Sequence, residues 1–205
     1  MVGAGLVSSF ARPGGNITGI NTPLSELDGK RQDILLEAVP GARTVAMLTD
    51  GNITPSRHIE MLKDAARARG AEVKDFVVRA PEDVASAMNE AKPSGAIALN
   101  VLATPMFNAV RKIIIERAAA LRLPAIYEWP EMAEEGGLLA YGTRLDRVLR
   151  QAARVVLKVL GGVKPADIPV EQPTHYELVA NLKAAKAIDF EIPAGLVLRA
   201  DRVIE

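Results

Sequence analysis

The sequence predicts an α/β protein built around a doubly wound parallel sheet, and three observations predict it. From Thr44 onward, short apolar or β-branched runs alternate with amphipathic helical stretches. Glycine and proline punctuate the junctions. Each strand signal is followed by a helix signal, the order that makes βαβ units and hence parallel pairing.

Element by element, residues 44–49 read as a buried strand. Thr54 and Pro55 then supply an N-cap and a first helical residue, Ile59, Leu62 and Ala66 share one helix face, and Gly70 stops the helix. Residues 73–78 form the next strand, 81–91 a helix and 96–99 a third strand. Thr104 and Pro105 open one helix running to Leu121. A short strand at 124–127, a short helix at 130–135 and a strand at 138–142 complete a lobe of residues 42–142. Residues 146–160 are helical, with Val148, Leu149, Ala152, Val156 and Val159 on one side and Gly161 and Gly162 as the stop. After a connector at 165–173, residues 176–182 read as a strand, 184–188 as a short helix and 195–205 as an extended tail. The opening predicts a helix over 2–10, a turn at 13–15, a strand over 17–20 and a helix over 27–38. Residues 1–41 and 143–205 are therefore assigned to part of a second α/β lobe with crossover segments.

Composition narrows the function. Twenty-five basic and twenty-five acidic residues cancel, leaving no field that would recruit phosphate backbones, so no nucleic-acid partner is expected. With no cysteine, zinc-thiolate sites and thiol nucleophiles are excluded. His58 and His175 lack a metal-spaced partner and read as solvated. The serines sit in no nucleophile elbow. The Gly3, Ala4, Gly5 start of a dinucleotide loop lacks both its third glycine and a preceding strand, so it reads as a helix start. No cofactor is expected. Glu128, Glu131, Glu134 and Glu135 crowd together as glycosidase carboxylates do, but acids in a first helical turn also stabilise its positive end.

Ligand binding in an α/β fold concentrates at the carboxyl ends of the strands. Those ends carry Asp50 and Asn52, Asn100 through Thr104, Tyr127, Glu128 and Trp129, and Tyr141 through Thr143. Amides and acids suit a small polar head, and aromatic rings suit a flat or apolar body.

Several segments resemble one family: Val2 to Val7 with the Arg-Pro-Gly-Gly-Asn-Ile-Thr-Gly run at 12–19, Gly29, Lys30 and Arg31, Gly136 to Gly142, the Gln-Pro-Thr at 172–174, and Leu198 to Asp201. They are similar to the TrpX-like ABC transporter substrate-binding proteins. The resemblance implies a type I periplasmic-binding-protein architecture, in which two lobes close on an amino acid or related small molecule and engage a membrane ABC permease, in the periplasm or at the cell envelope. It implies no catalysis. It also implies that the chain starts within the first lobe, without a signal peptide, and so could self-associate through the 17–20 strand. Carried over, the ligand candidates are Asn21, Thr22, Asp50, Asn52, Asn100, Leu102, Tyr127, Glu128, Trp129 and Tyr141. The chain departs from the family at Glu128, Trp129 and Pro130, where members more often carry a small residue, an aromatic and an arginine. The alternative is the effector-binding domain of a LacI-like regulator, which shares the architecture.

Overall fold

The computed structural model describes residue 2, residues 5–23 and residues 25–205. They divide into two compact units: Leu24–Gly142 with Glu177–Glu205, and Met1–Pro23 with Thr143–Tyr176.

The first of these units is a seven-stranded sheet in the order β2-β1-β3-β4-β5-β6-β7. Its strands are β1 (Thr44–Asp50), β2 (Glu72–Val78), β3 (Leu99–Val101), β4 (Ala125–Tyr127), β5 (Leu139–Gly142), β6 (Glu177–Asn181) and β7 (Arg202–Ile204). The first five pair in parallel, β5 with β6 antiparallel, and β6 with β7 in parallel. Helices α1 (Asp28–Ala38), α2 (Ser56–Ala68), α3 (Val84–Ala91), α4 (Pro105–Ala109), α5 (Arg111–Ala120), α6 (Pro130–Glu134), α8 (Leu182–Ala187) and α9 (Ala194–Arg199) complete this unit. The order of the five parallel strands is the flavodoxin-like 2-1-3-4-5 arrangement, which puts its strand-order reversal at β1 and β3. β1 is buried from Val45 to Asp50 because both its faces are covered. The core runs from Leu35 and Ala38 through Val45, Met47 and Ile126 to Ala185 and Leu196.

Several elements differ from the sequence reading. The segments 27–38 and 177–205 sit in the unit that holds the sheet rather than with residues 1–23. The cause is pairing: β6 lies against β5 over four residues, from Leu139 opposite Ala180 to Gly142 opposite Glu177. The 105–121 helix is two helices, because Val110 leaves helical geometry at φ −103° and ψ 16°. The expected extended tail contains α9, whose turn is nucleated by Pro193 and buries Leu196.

The second unit contains α7 (Leu145–Leu160), and its residues 165–173 carry a short 3-10 turn. No helix forms over the described part of 2–10: Gly5 has φ +68°, outside helical space, and the Ser8 N–H donates to the Pro13 carbonyl. Met1, Gly3 and Ala4 lie outside the described residues, and with them most of the expected dinucleotide-like start. The 17–20 strand reduces to a single parallel bridge between Ile20 and Glu171. Thr18 Oγ1 donates to the Ile168 carbonyl at 2.7 Å.

Gly142 shows how tightly the carboxyl edge of the sheet is built. A Cβ there would lie 1.9 Å from the Glu128 carbonyl oxygen, a backbone atom that cannot move aside cheaply. Gly142→Ala is expected to cost about 1–3 kcal/mol as an overpacking change, lowering Tm by several degrees in a thermal melt. An unchanged Tm would show that β4 and β5 separate easily.

Candidate functional site

The carboxyl edge of the sheet gathers most of the sequence-predicted residues. Asp50 ends β1 and is buried, its Oδ1 accepting the Asn52 N–H at 2.9 Å, while Asn52 Nδ2 donates to the Arg79 carbonyl at 2.7 Å. The pair makes a rigid Asx turn, so its side-chain capacity is largely spent on the loop. Asn100 lies in the middle of β3, fully buried, with neither amide atom hydrogen-bonded. Glu128 follows β4 at 3 % exposure, with its Oε2 unpartnered. Asn100 pairs in register with Ile126, and strand side chains alternate. Asn100, Ile126 and Glu128 therefore point to one face, the one packed by α1. The buried Trp129 indole N–H also lacks an aligned acceptor. Three unsatisfied buried polar groups on neighbouring strand ends are uncommon, because each costs about 1–3 kcal/mol.

Sequence reasoning missed the group beside them. Asp28 and Arg31, on the inner side of α1, are both buried and form an ion pair through Asp28 Oδ1 and Arg31 Nη2. Arg31 Nη1 donates to the Tyr141 carbonyl at 3.1 Å, and Asp28 Oδ1 accepts the Ala103 N–H at 3.3 Å. His58 Nε2 stands 2.8 Å from Asp28 Oδ2, so His58 is not the solvated residue expected. Gln32 Nε2 donates to the Leu62 carbonyl at 2.8 Å. The signal lay in spacing: Asp28, Arg31, Gln32 and Leu35 follow i, i+3, i+4, i+7, so a buried helix stripe had to contain charges.

Electrostatics here centre on Glu128. Burial pushes its carboxyl up from the ordinary 4.5 to about 8; the Arg31 guanidinium and the nearby Trp129 indole pull it back, and Asp28 pushes it further up. At neutral pH Glu128 is thus mostly a carboxylic acid, able to donate as well as accept.

Other candidates lie elsewhere. Leu102 is part of the hydrophobic core. The Tyr127 ring packs against Gly137, where a Cβ would lie 2.6 Å from its Cε2, and burial raises its hydroxyl pKa. Tyr141 is half-buried against the core. Asn21 and Thr22 belong to the other unit, with the Asn21 N–H donating to the Glu171 carbonyl at 2.8 Å. The acidic cluster is dispersed into ion pairs, Glu135 taking both Arg111 Nε and Nη2 at 2.8 and 2.9 Å, and Glu134 taking Arg202. An apolar groove between α8 and α9, lined by Leu182, Phe190, Ile192 and Val197, lies at the opposite edge, since β6 runs antiparallel to β5.

Comparison with known proteins bears on the family and the fold. Residues 1–204 match the family model described as ABC transporter substrate binding protein. A protein named Tyrosine-binding protein, from Clostridioides difficile strain R20291, is 27 % identical over 194 residues, covering 93 % of this chain and 54 % of its own length. The chain thus spans about half the length of that curated relative. A crystal structure of an ABC domain in complex with L-Trp from Streptococcus pneumonia superposes with a TM-score of 0.82 at 24 % identity, over 99 % of this chain and 70 % of that one. A LacI family transcriptional regulator from Bifidobacterium animalis aligns less well, with a TM-score of 0.56 at 15 % identity over 79 % of this chain and 62 % of its own. The type I periplasmic-binding-protein fold expected from the sequence is therefore shown.

Two measurements test the site's electrostatics. Between about pH 4.5 and 8 the folded chain holds a Glu128 proton that the unfolded chain has released, so this group's contribution is complete below 4.5, declines as pH rises and is lost above 8. Urea midpoints at pH 5.5 and 8.5, values chosen inside and above that window, should fall more steeply in the wild type than in Glu128→Gln. Equal slopes would place the titration elsewhere. Arg31→Met strands Asp28 in the interior and should cost about 3–5 kcal/mol, whereas Asp28→Leu with Arg31→Met should recover part of that loss.

Proposed function

The chain belongs to the ABC transporter substrate-binding protein family, and from that premise we propose that it is the receptor of an ABC importer for an aromatic amino acid. The observation that carries the reading is the set of unsatisfied groups at the strand ends: the Asn100 amide, Glu128 Oε2 and the Trp129 indole N–H. An amino-acid zwitterion supplies what they lack. A protonated Glu128, the Trp129 N–H and the Asn100 NH2 can donate to a carboxylate, and Asn100 Oδ1 can accept from an ammonium. Each group is covered by protein, so binding requires rim side chains to part and close again. Ligand then stabilises the closed arrangement by its differential affinity, with no bond made or broken. Asp50, Asn52 and Tyr141 stay candidates for the periphery of this unit's ligand groups, Leu102 and Tyr127 for their support, and Asn21 and Thr22 stay candidates within the other unit.

The names of the relatives agree with this class of ligand, one being called tyrosine-binding and another solved with L-Trp. The LacI-like alternative rests on a likeness of fold alone. Work as a receptor places the whole protein outside the cytoplasm, docking on a membrane permease. Among the described residues no helix is long and apolar enough to cross a membrane.

Trp129 is the chain's single tryptophan, so its emission reports on the site directly. Adding L-tyrosine should shift that emission and raise Tm by a few degrees, and L-tryptophan should raise Tm likewise, while L-leucine and D-glucose should do neither. Affinity should weaken as pH passes through about 8 in the wild type and stay flat in Glu128→Gln. A response to sugars but not to aromatic amino acids would sink the assignment, and a pH-independent affinity would remove Glu128 from it.

A further inference from the structure

The buried charge network behind the strand ends runs from Arg31 through Asp28 to His58. His58 lies in the first turn of α2, its backbone N–H donating to the Pro55 carbonyl at 2.9 Å. Its Nε2 stands 2.8 Å from Asp28 Oδ2. A carboxylate only accepts, so Nε2 carries the hydrogen and donates, whichever charge the ring has. One turn further along both helices, Gln32 Nε2 donates to the Leu62 carbonyl at 2.8 Å. His58 and Leu62 are i and i+4 on α2, and Asp28 and Gln32 are i and i+4 on α1, so the two contacts are successive rungs between one pair of helix faces. The second rung fixes the rotation of α2 that aims the His58 ring at Asp28. All of these residues belong to the sheet-bearing unit, Leu24–Gly142 with Glu177–Glu205.

We propose that His58 is a positioning residue of the ligand site, holding Asp28 so that Asn100 and Glu128 keep the places in which a ligand meets them, a role that rests on reading these strand ends as an amino-acid site. Two paths run from Asp28. Its Oδ1 accepts the Ala103 N–H at 3.3 Å, which pins the chain just past the end of β3, three residues after Asn100. Oδ1 also pairs with Arg31, whose Nη1 donates to the Tyr141 carbonyl at 3.1 Å. Tyr141 precedes Gly142, and Gly142 packs so closely on the Glu128 carbonyl that no Cβ fits between them. Each path thus ends on backbone next to one of the unpaired groups. Oδ1 serves both paths, and Oδ2 is the oxygen that His58 holds. Without the His58 donor, Oδ2 is a charged oxygen left unpaired in the interior, and the carboxylate gains by turning to hydrate it. That turn takes Oδ1 off the neutral Ala103 N–H before it breaks the stronger bond to the Arg31 guanidinium.

Hydrogen exchange at the Ala103 amide reads this effect without any ligand. In His58→Ala that amide should exchange about tenfold faster or more, as expected for one lost hydrogen bond to a charged group, while the β1 amides of Val45 to Leu48 keep their protection. The single tryptophan, next to Glu128, should change its emission in the same variant. His58→Gln carries an amide nitrogen at a similar reach and should restore both. An Ala103 amide that exchanges no faster in His58→Ala overturns the proposal, and so does a His58→Gln protein that stays folded yet fails to restore it. Faster exchange at β1 as well as at Ala103 shows general loosening instead of positioning and overturns it too. Affinity completes the test: L-tyrosine should bind His58→Ala about tenfold more weakly than the unmodified chain, and His58→Gln within about twofold of it. Faster Ala103 exchange with unchanged L-tyrosine affinity also overturns the proposal, because the brace then does not serve the site. If the unmodified chain binds no aromatic amino acid, the amino-acid reading fails by itself, and Ala103 exchange with Trp129 emission still decides whether His58 holds the strand ends.

Discussion

The buried Arg31 guanidinium is the contact on which the carboxyl edge of the sheet depends. It holds the Asp28 carboxylate on its own helix and the Tyr141 carbonyl on β5, and Asp28 in turn holds the Ala103 N–H after β3 and the His58 ring on α2. Four elements that meet nowhere else in sequence are thereby fixed to one charge pair. A buried ion pair adds little net stability compared with apolar packing, because desolvating both charges offsets their attraction. What it does supply is direction: only one rotation of α1 presents both charges to these partners, so the helix cannot slide along the sheet without stranding them.

That constraint also sets the chemistry of the strand ends. Glu128 lies in the field of both charges, but burial outweighs the opposing pull of Arg31 and holds the carboxyl neutral near pH 7. A neutral acid beside an unpaired amide is a poor structural arrangement, and that cost is what motivates the zwitterion proposal. Such groups stay costly in the empty protein, and a ligand that satisfies them recovers that cost as affinity. Leu102 lies in the hydrophobic core and the Tyr127 ring packs against Gly137.

The parallel sheet was legible chiefly through β1, which is covered on both faces and so reads as an apolar run, Val45 to Leu48. The Thr104 cap was equally legible, its Oγ1 accepting the Phe107 N–H at 3.1 Å. The placement of β6 was not, since antiparallel pairing with β5 is decided by residues more than thirty positions apart, and nothing local in Glu177 to Asn181 marks it. His58 misled for a related reason. It sits in the first turn of a helix whose neighbours are exposed, and its acceptor lies thirty residues earlier on α1. The α1 charges were visible but were read as motif rather than as core.

At the strand ends polar groups are buried without partners, and the deficit is one of hydrogen bonds rather than of area. Packing more apolar surface over these groups cannot relieve it, because the same amide atoms stay unpaired however completely they are covered. What relieves it is a group that brings matching donors and acceptors into space the protein itself encloses, and that is the ground on which the zwitterion proposal stands.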